Sequence, residues 1–371
     1  MKFCMYVNQV TPHLMPLARE VVRLVGADEV RYVYDQGLES DRRDLGWSVE
    51  REPWVVDKNS EGAMAREWVE GCDILLCERR DLDLWERRAK SGKGLYYTSE
   101  RWFKPLMFGL PGWLRLLSPA YFKMARRAAR LFDKYSNLIY LCNGFYAARD
   151  FIKLSRFMRG SVFALFTNPR LNFERRPFGR VVCDGSEISQ VRMWSYFVAP
   201  SEESENRGIA SDAGKETKVL WVGRFLALKR VDTIVRAALA CPSVRLDLHG
   251  VGPEEANLRK LAGGCERIRF CPPVPVGDVR RLMREHDVYV LSSNELEGWG
   301  AVVNEALEEG MSVVGTFEAG ASRSLLPQEC LFHAGDWKHL AQLLRSRLPQ
   351  PGIGAWSAKI AAARILGENM D

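Results

Sequence analysis

The sequence has no C-x-x-C pair among its nine cysteines, which stand at 4, 72, 77, 142, 183, 241, 265, 271 and 330. An odd, scattered set suggests neither a disulfide framework nor a zinc site, and it fits a cytosolic setting. Histidine is scarce: there are five in 371 residues, and His13 is alone in the first 200. No apolar run reaches the length of about 20 residues that a membrane span needs. The opening Met1-Lys2-Phe3-Cys4-Met5-Tyr6-Val7 is interrupted by Asn8-Gln9, too soon for a secretory signal. It reads instead as a first buried strand. There is no short-period repeat and no low-complexity tract.

What is present is ordinary globular composition, 47% hydrophobic and 27% charged, in a chain long enough for two domains with substantial cores. The net charge of +6 is unevenly spread. Residues 1–200 hold 32 basic against 24 acidic groups, and 201–371 hold 21 against 23. Acidic residues are rarest between 99 and 180, which carry 16 basic and 4 acidic side chains interleaved with Trp102, Phe103, Phe108, Trp113, Tyr121 and Phe122. An anionic partner for this surface is expected.

Along the chain, strand-like and helix-like segments alternate. A helix is predicted from Pro12 to Val25, a strand over Val30–Tyr34, a helix over Ala63–Glu70 and a short buried strand over Asp73–Cys77. Leu138–Cys142 reads as a further strand, followed by a helix from Tyr146 to Phe157. Residues 201–217 are polar and nearly free of large apolar groups, and they are expected to be a linker. Beyond them the alternation is cleaner. Strands are predicted at 219–223, 244–249, 267–270, 288–291 and 312–315, with helices at 231–240, 254–261, 279–286 and 302–309. The expected fold is α/β, with two doubly wound Rossmann-like domains facing a central cleft. The boundaries are 1–200 for the first domain, 201–217 for the linker and 218–355 for the second. Residues 356–371 read as a final helix, with Ser357 as its N-cap.

Three strand-end features of the second half suit one purpose. Arg224 and Lys229, in Gly223-Arg224-Phe225-Leu226-Ala227-Leu228-Lys229, follow a buried strand and could grip a diphosphate. His249-Gly250-Val251-Gly252-Pro253 supplies a tight strand-to-helix turn, for which plain turn chemistry and ligand contact are equal readings. Glu297-Gly298-Trp299-Gly300-Ala301-Val302-Val303-Asn304-Glu305 sets two carboxylates eight positions apart around a Gly-x-Gly turn that opens a helix, a place suited to phosphate. Glu305 is expected about two turns into that helix, where a carboxylate can accept from a vicinal diol. Taken alone, the two glutamates read as a solvated helix face in preference to a ligand site.

Over about Lys218–Leu326, this joint order resembles the retaining GT-B glycosyltransferases of family four, the "group one" enzymes that use nucleotide-sugar donors. Val313-Val314-Gly315-Thr316 adds to the match. More loosely, His13, Tyr97–Lys104, Cys142–Tyr146 with Asp150, and Trp194–Phe197 resemble a bacterial subgroup that builds capsular and other cell-surface polysaccharides. The resemblance implies transfer of a hexose with retention at the anomeric carbon. It assigns Arg224 and Lys229 to the leaving diphosphate in place of a metal, so neither metal nor other cofactor is expected. Glu297 then contacts the donor sugar and Glu305 the ribose, 1–200 is the acceptor-side domain, 218–355 the donor domain, and the final helix, 356–371, returns to the first domain. Gly223, Gly250, Gly252, Gly298, Trp299 and Gly300 fall on the donor side, and no protein nucleophile is implied.

His13, after the first strand, is expected to face the cleft and is carried as a catalytic candidate. Glu100 and Arg101 are acceptor-side candidates, with a surface ion pair as the competing reading. The family's glycine-rich first loop is missing here, where Asn8-Gln9-Val10-Thr11-Pro12-His13 has no glycine. Ala319-Gly320-Ala321-Ser322 stands where a Gly-Gly is usual, and Gly320 and Ala321 are expected to offer backbone N–H groups. Residues 104–130 read either as a lid on their own domain or as a segment lying on an anionic membrane surface. The second reading would place the protein at the inner face of the plasma membrane. Nucleic acid is not an expected partner, because no recognition motif accompanies the charge. The expected partners are a nucleotide-sugar donor and a glycan or lipid-linked acceptor. The rivals are a non-catalytic nucleotide-sugar or glycan-binding subunit and a sugar-nucleotide epimerase.

Overall fold

The computed structural model describes residues 1–37, 52–104, 110–200, 216–346, 348–350 and 352–367. The chain divides into two compact units: the described residues of 1–199 with 355–367, and those of 200–354. Most of the expected linker, 201–215, lies outside the described residues.

The first unit is built on a sheet in the order β3-β2-β1-β4-β5-β6-β9-β8-β7. Its strands are β1 (Phe3–Val7), β2 (Val30–Tyr34), β3 (Val55–Asp57), β4 (Ile74–Cys77), β5 (Gly94–Ser99), β6 (Leu138–Asn143), β7 (Leu171–Phe173), β8 (Arg180–Cys183) and β9 (Ser186–Trp194). Helices α1 (Met15–Val25), α2 (Gly62–Gly71), α3 (Leu82–Lys90), α4 (Pro119–Lys134) and α5 (Phe145–Met158) connect the parallel part. Every residue of β1 and β4 is buried. Such uninterrupted apolar runs are what strands need when helices cover both faces of a parallel sheet. The edge departs from this plan, because β8 pairs antiparallel with both β7 and β9. Asp184-Gly185 makes the turn between β8 and β9 with φ of 50° and 86°. Positive φ at both central residues is the turn that matches strand twist in a two-residue hairpin.

The second unit holds β10 (Thr217–Val222), β11 (Val244–His249), β12 (Ile268–Cys271), β13 (Val288–Leu291), β14 (Ser312–Thr316) and β15 (Leu331–Phe332). The order is β12-β11-β10-β13-β14-β15, and every pairing is parallel. Its helices are α6 (Val231–Ala240), α7 (Glu255–Ala262), α8 (Val276–Glu285), α9 (Val302–Glu308), α10 (Gly320–Leu325) and α11 (Trp337–Arg345). The strand order reverses between β10 and β13 here, and between β1 and β4 in the first unit. In open α/β sheets the crevice at the carboxyl ends of such a pair is where ligands bind.

The last helix, α12 (Ala358–Gly367), is sequence-distant from the first unit but packs in it. Ala358, Ala361, Ala362, Ile365 and Leu366 share a core with Leu14, Leu17, Val21 and Trp54. The Ser357 hydroxyl accepts from Ile360 N at 3.4 Å and caps the helix start.

Candidate functional site

At the carboxyl end of β10 the chain runs Gly223-Arg224-Phe225-Leu226 beside the turn that follows β11. Gly223 N donates to His249 O at 3.0 Å, Phe225 N to Val251 O at 2.9 Å and Glu254 N to Phe225 O at 3.0 Å. The two loops are therefore laced backbone to backbone. A Cβ on Gly250 would lie 1.8 Å from Gly223 O, and one on Gly252 would lie 2.5 Å from Phe225 O. Close packing against the neighbouring loop is thus enough to require both glycines. The Arg224 side chain is exposed and makes no ion pair among the described residues.

The next turn places Lys229. Ala227–Lys229 form a single 3-10 turn, and Arg230 follows in the left-handed region at φ 47°, held by its side chain on Asp232 at 3.0 and 3.2 Å. The loop after β13 grips the same turn from the other side. Ser292 Oγ donates to Lys229 O at 2.6 Å, and Asn294 N donates to Leu228 O at 2.9 Å. That loop continues to Glu297, whose carboxylate receives Lys229 Nζ directly and Ser293 Oγ at 2.8 Å. Thr316 Oγ1, at the end of β14, fixes Ser293 by donating to its carbonyl at 2.6 Å. Two residues 68 positions apart thereby form a half-buried ion pair at the strand-order reversal of the second unit.

The stretch from Gly298 to Glu305 differs from expectation in two respects. Helix α9 starts only at Val302, so Glu305 sits in its first turn rather than about two turns in. Trp299, expected on the donor side, is 1% exposed, and its Nε1 donates to Asn304 Oδ1 at 2.8 Å. Its side chain fastens the loop to the helix. Gly300 has φ 89°, and a Cβ there would meet Leu291 Cδ2 at 2.8 Å. A Cβ on Gly320 would stand 3.1 Å from Gly298 O, so the loop at Gly298 lies against the start of α10. The Ala321 N–H, expected to be on offer to a ligand, donates to Trp299 O at 2.9 Å. Burial pushes the Glu305 carboxyl up to about 7, with Arg280 pulling it down and Glu309 adding to the rise.

The first unit gathers a second polar set at the carboxyl end of its sheet. His13, carried as a catalytic candidate, is buried in the turn before α1, and its ring stacks on Tyr196 at 5.8 Å between centroids. A turn whose apolar neighbours Leu14, Met15 and Leu17 enter the core carries its histidine inward with them. Tyr196 Oη donates to Glu100 Oε1 at 3.3 Å, which links His13 to Glu100 through the phenol. Glu100 and Arg101 do not pair with each other. Lys104 meets Glu100 at 2.6 Å, whereas Arg101 meets the buried Asp150 at 3.2 Å. Sequence reasoning passed over Glu78, just after β4, which accepts from Asn8 N at 3.4 Å. Burial pushes its carboxyl up to about 7 and the charge of Glu100 adds to this. The available signal was a lone carboxylate directly after the apolar run Ile74–Cys77.

Residues 202–354 match the family model for glycosyl transferases group 1. Among curated proteins, the chain is similar to a D-inositol 3-phosphate glycosyltransferase of Mycobacterium sp. (strain JLS), 33% identical over 164 residues. That match covers 40% of this chain and 37% of the relative, so the chain spans little more than a third of the length of the curated relative it matches. Among solved structures it is similar to Anabaena Alr3699/HepE in complex with UDP, with TM-score 0.55 and 16% identity over 100% of this chain and 98% of that one. It is also similar to WaaG, a glycosyltransferase involved in lipopolysaccharide biosynthesis, with TM-score 0.56 and 15% identity over 98% of this chain and 93% of that one. At these identities the structural likeness speaks for the fold, which is GT-B.

Proposed function

We propose that this chain, whose second unit carries the group 1 glycosyl transferase match, is a retaining glycosyltransferase that moves a hexose from a nucleotide diphosphate sugar to a glycan or lipid-linked acceptor in surface polysaccharide synthesis. The Lys229–Glu297 pair supports this reading most directly. It sets an ammonium for a diphosphate beside a carboxylate for sugar hydroxyls, with the exposed Arg224 following the adjacent strand. Charge grows on the diphosphate as the bond to the anomeric carbon breaks, so cations fixed at that point lower the barrier selectively. The acceptor hydroxyl forms the new bond on the same face, and its proton passes to the departing phosphate. Glu305 takes the ribose hydroxyls, no protein nucleophile or metal enters, and His13, Tyr196 and Glu100 line the acceptor side of the first unit.

The test is the purified chain with UDP- and GDP-sugars and a candidate acceptor. A glycoside of the donor's own anomeric configuration, read by NMR, is the expected product. Donor binding without transfer or hydrolysis would leave a non-catalytic binding subunit, and sugar interconversion without acceptor would leave an epimerase. Either result overturns the reading.

The basic segment supports a second part of the proposal, contact with an anionic membrane face. No helix among the described residues is long and apolar enough to cross a membrane. Part of 104–130 packs inward, with Leu116 buried and Arg127 paired to Asp83 and Glu86, and residues 105–109 lie outside the described residues. Leu117 is 75% exposed, and Trp113 packs edge-on against Phe166, which is 64% exposed and next to Phe163 at 79%. Lys123, Arg126 and Arg130, at helical spacing, stand exposed on α4. Apolar tips beside a cationic stripe suit a bilayer carrying anionic lipid. The expected result is co-sedimentation with phosphatidylglycerol-containing vesicles, weakened about tenfold or more in Phe163→Asp/Phe166→Asp, since each buried aromatic side chain contributes about 1.5–3 kcal/mol. Equal pelleting of this variant and the parent would remove these tips from the proposal.

A further inference from the structure

Glu305 does not stand alone on its helix. Glu309, directly after α9, follows it by one turn, and its N–H donates to Glu305 O at 3.0 Å. Residues four apart on a helix share a face, with Cβ atoms about 5–6 Å apart. The Glu309 side chain is completely buried and takes two arginines from α8, Arg280 Nε on Oε1 at 2.5 Å and Arg284 Nη1 on Oε2 at 3.0 Å. The Arg280 guanidinium is thereby fixed on the carboxylate of the residue one helical turn from Glu305. Beneath them Tyr289 of β13 is buried close to both Glu305 and Glu297, and its hydroxyl donates to Val222 O at 3.4 Å. Its neutral ring offers no compensating charge, and Lys229 is taken by Glu297.

A carboxyl that must accept hydrogen bonds from two vicinal hydroxyls does so best as an anion, and burial works against that form. We propose that Arg280 is a positioning residue of the donor site: gripped by Glu309, it holds positive charge one turn from Glu305, so that this carboxyl meets the nucleotide as an anion. The proposal rests on the reading of Glu305 as a donor contact. Arg280 itself touches no substrate. Its neighbour Arg284 braces the far oxygen of Glu309 and keeps the grip in one geometry.

The sign of the effect follows from the groups that face Glu305. Burial and Glu309 favour the protonated form, and Arg280 opposes them. Without that cation the carboxyl loses its proton only at higher pH, so donor affinity falls below that pH and returns above it. The experiment is calorimetric binding of UDP and GDP between pH 5.5 and 9 to the full chain, in parallel with Arg280→Gln, Arg280→Lys and Glu305→Gln. For a rise of one pKa unit at Glu305, the glutamine variant should bind about fivefold more weakly near pH 7 and approach about tenfold at pH 5.5. The deficit should close toward pH 9, and the lysine variant should stay near the parent. Arg280→Met keeps the aliphatic stem and replaces the glutamine variant if that one does not fold. A deficit equal at every pH, or none, overturns the positioning role while Glu305→Gln still weakens binding. Unchanged binding in Glu305→Gln overturns the donor reading of Glu305 and this proposal with it.

Discussion

Lys229→Ala should lower sugar transfer at saturating donor by about 10²–10³-fold, the usual cost of removing one preorganised group that meets developing charge. The fold should be unaffected. The turn that carries Lys229 is held through its backbone by Ser292 and Asn294, and neither contact uses the ammonium. The ion pair with Glu297 is partly exposed, and such pairs contribute at most about 1 kcal/mol. Glu297 also keeps the hydroxyl of Ser293 when the lysine is gone. In the absence of donor the ammonium is neutralised by Glu297, so the site is not left as bare positive charge. On the proposed reading, an arriving diphosphate draws Lys229 away and leaves the carboxylate for sugar hydroxyls. Initial rates with the parent and the variant, alongside melting curves for both, decide the matter. Equal rates at matched folding would take Lys229 out of the chemistry.

The same pair shows how far the sequence reached. The alternation of apolar runs and helical periodicity was enough to place β10–β14 and α6–α9 of the second unit, because a parallel sheet covered on both faces leaves continuous apolar strands, whereas β15, α10 and α11, the first two of them very short, went unpredicted. The terminal residues of the strands, and hence Lys229 and Glu297, followed from that placement. Their contact did not. It depends on Ser292 and Asn294 reaching back across the sheet to the Leu228–Lys229 turn, which no local spacing encodes. The Arg280–Glu309 bridge was hidden for the same reason, since it joins different helices 29 residues apart.

Misplacements had simpler causes. Gly298-Trp299-Gly300 was read as one ligand-facing turn, whereas Trp299 is a core residue with a satisfied indole. A large aromatic between two glycines can fasten a loop as well as present it. In the first unit the β8–β9 hairpin was not predicted, although Asp184-Gly185 between Val181-Val182-Cys183 and Ser186–Val191 is a strong short-range hairpin signal. The burial of His13 is not local to its loop, because the turn is drawn inward by the apolar residues that follow it.

Gly250→Ala should cost the second unit about 3 kcal/mol or more, at or above the upper end of the range for overpacking a well-filled site. The added Cβ would overlap Gly223 O at 1.8 Å and press on Gly223 C at 3.0 Å. Relief requires the loops after β10 and β11 to part. They are tied by Gly223 N to His249 O on one side of the contact and by Phe225 N to Val251 O on the other, so separation breaks backbone bonds. For a unit of this size the melting temperature should fall by about 6–12 °C. Nucleotide binding should weaken too, because Arg224 lies on the displaced loop. Gly277 provides the control: it lies in the first turn of α8, and a Cβ there meets nothing within 4 Å. Alanine at that position should be neutral or slightly stabilising, since it restricts the unfolded chain without straining the folded one. If Gly250→Ala melted within a degree of the parent, the laced loops would not be the constraint that makes position 250 a glycine, and ligand contact would become the better account of the His249–Pro253 turn.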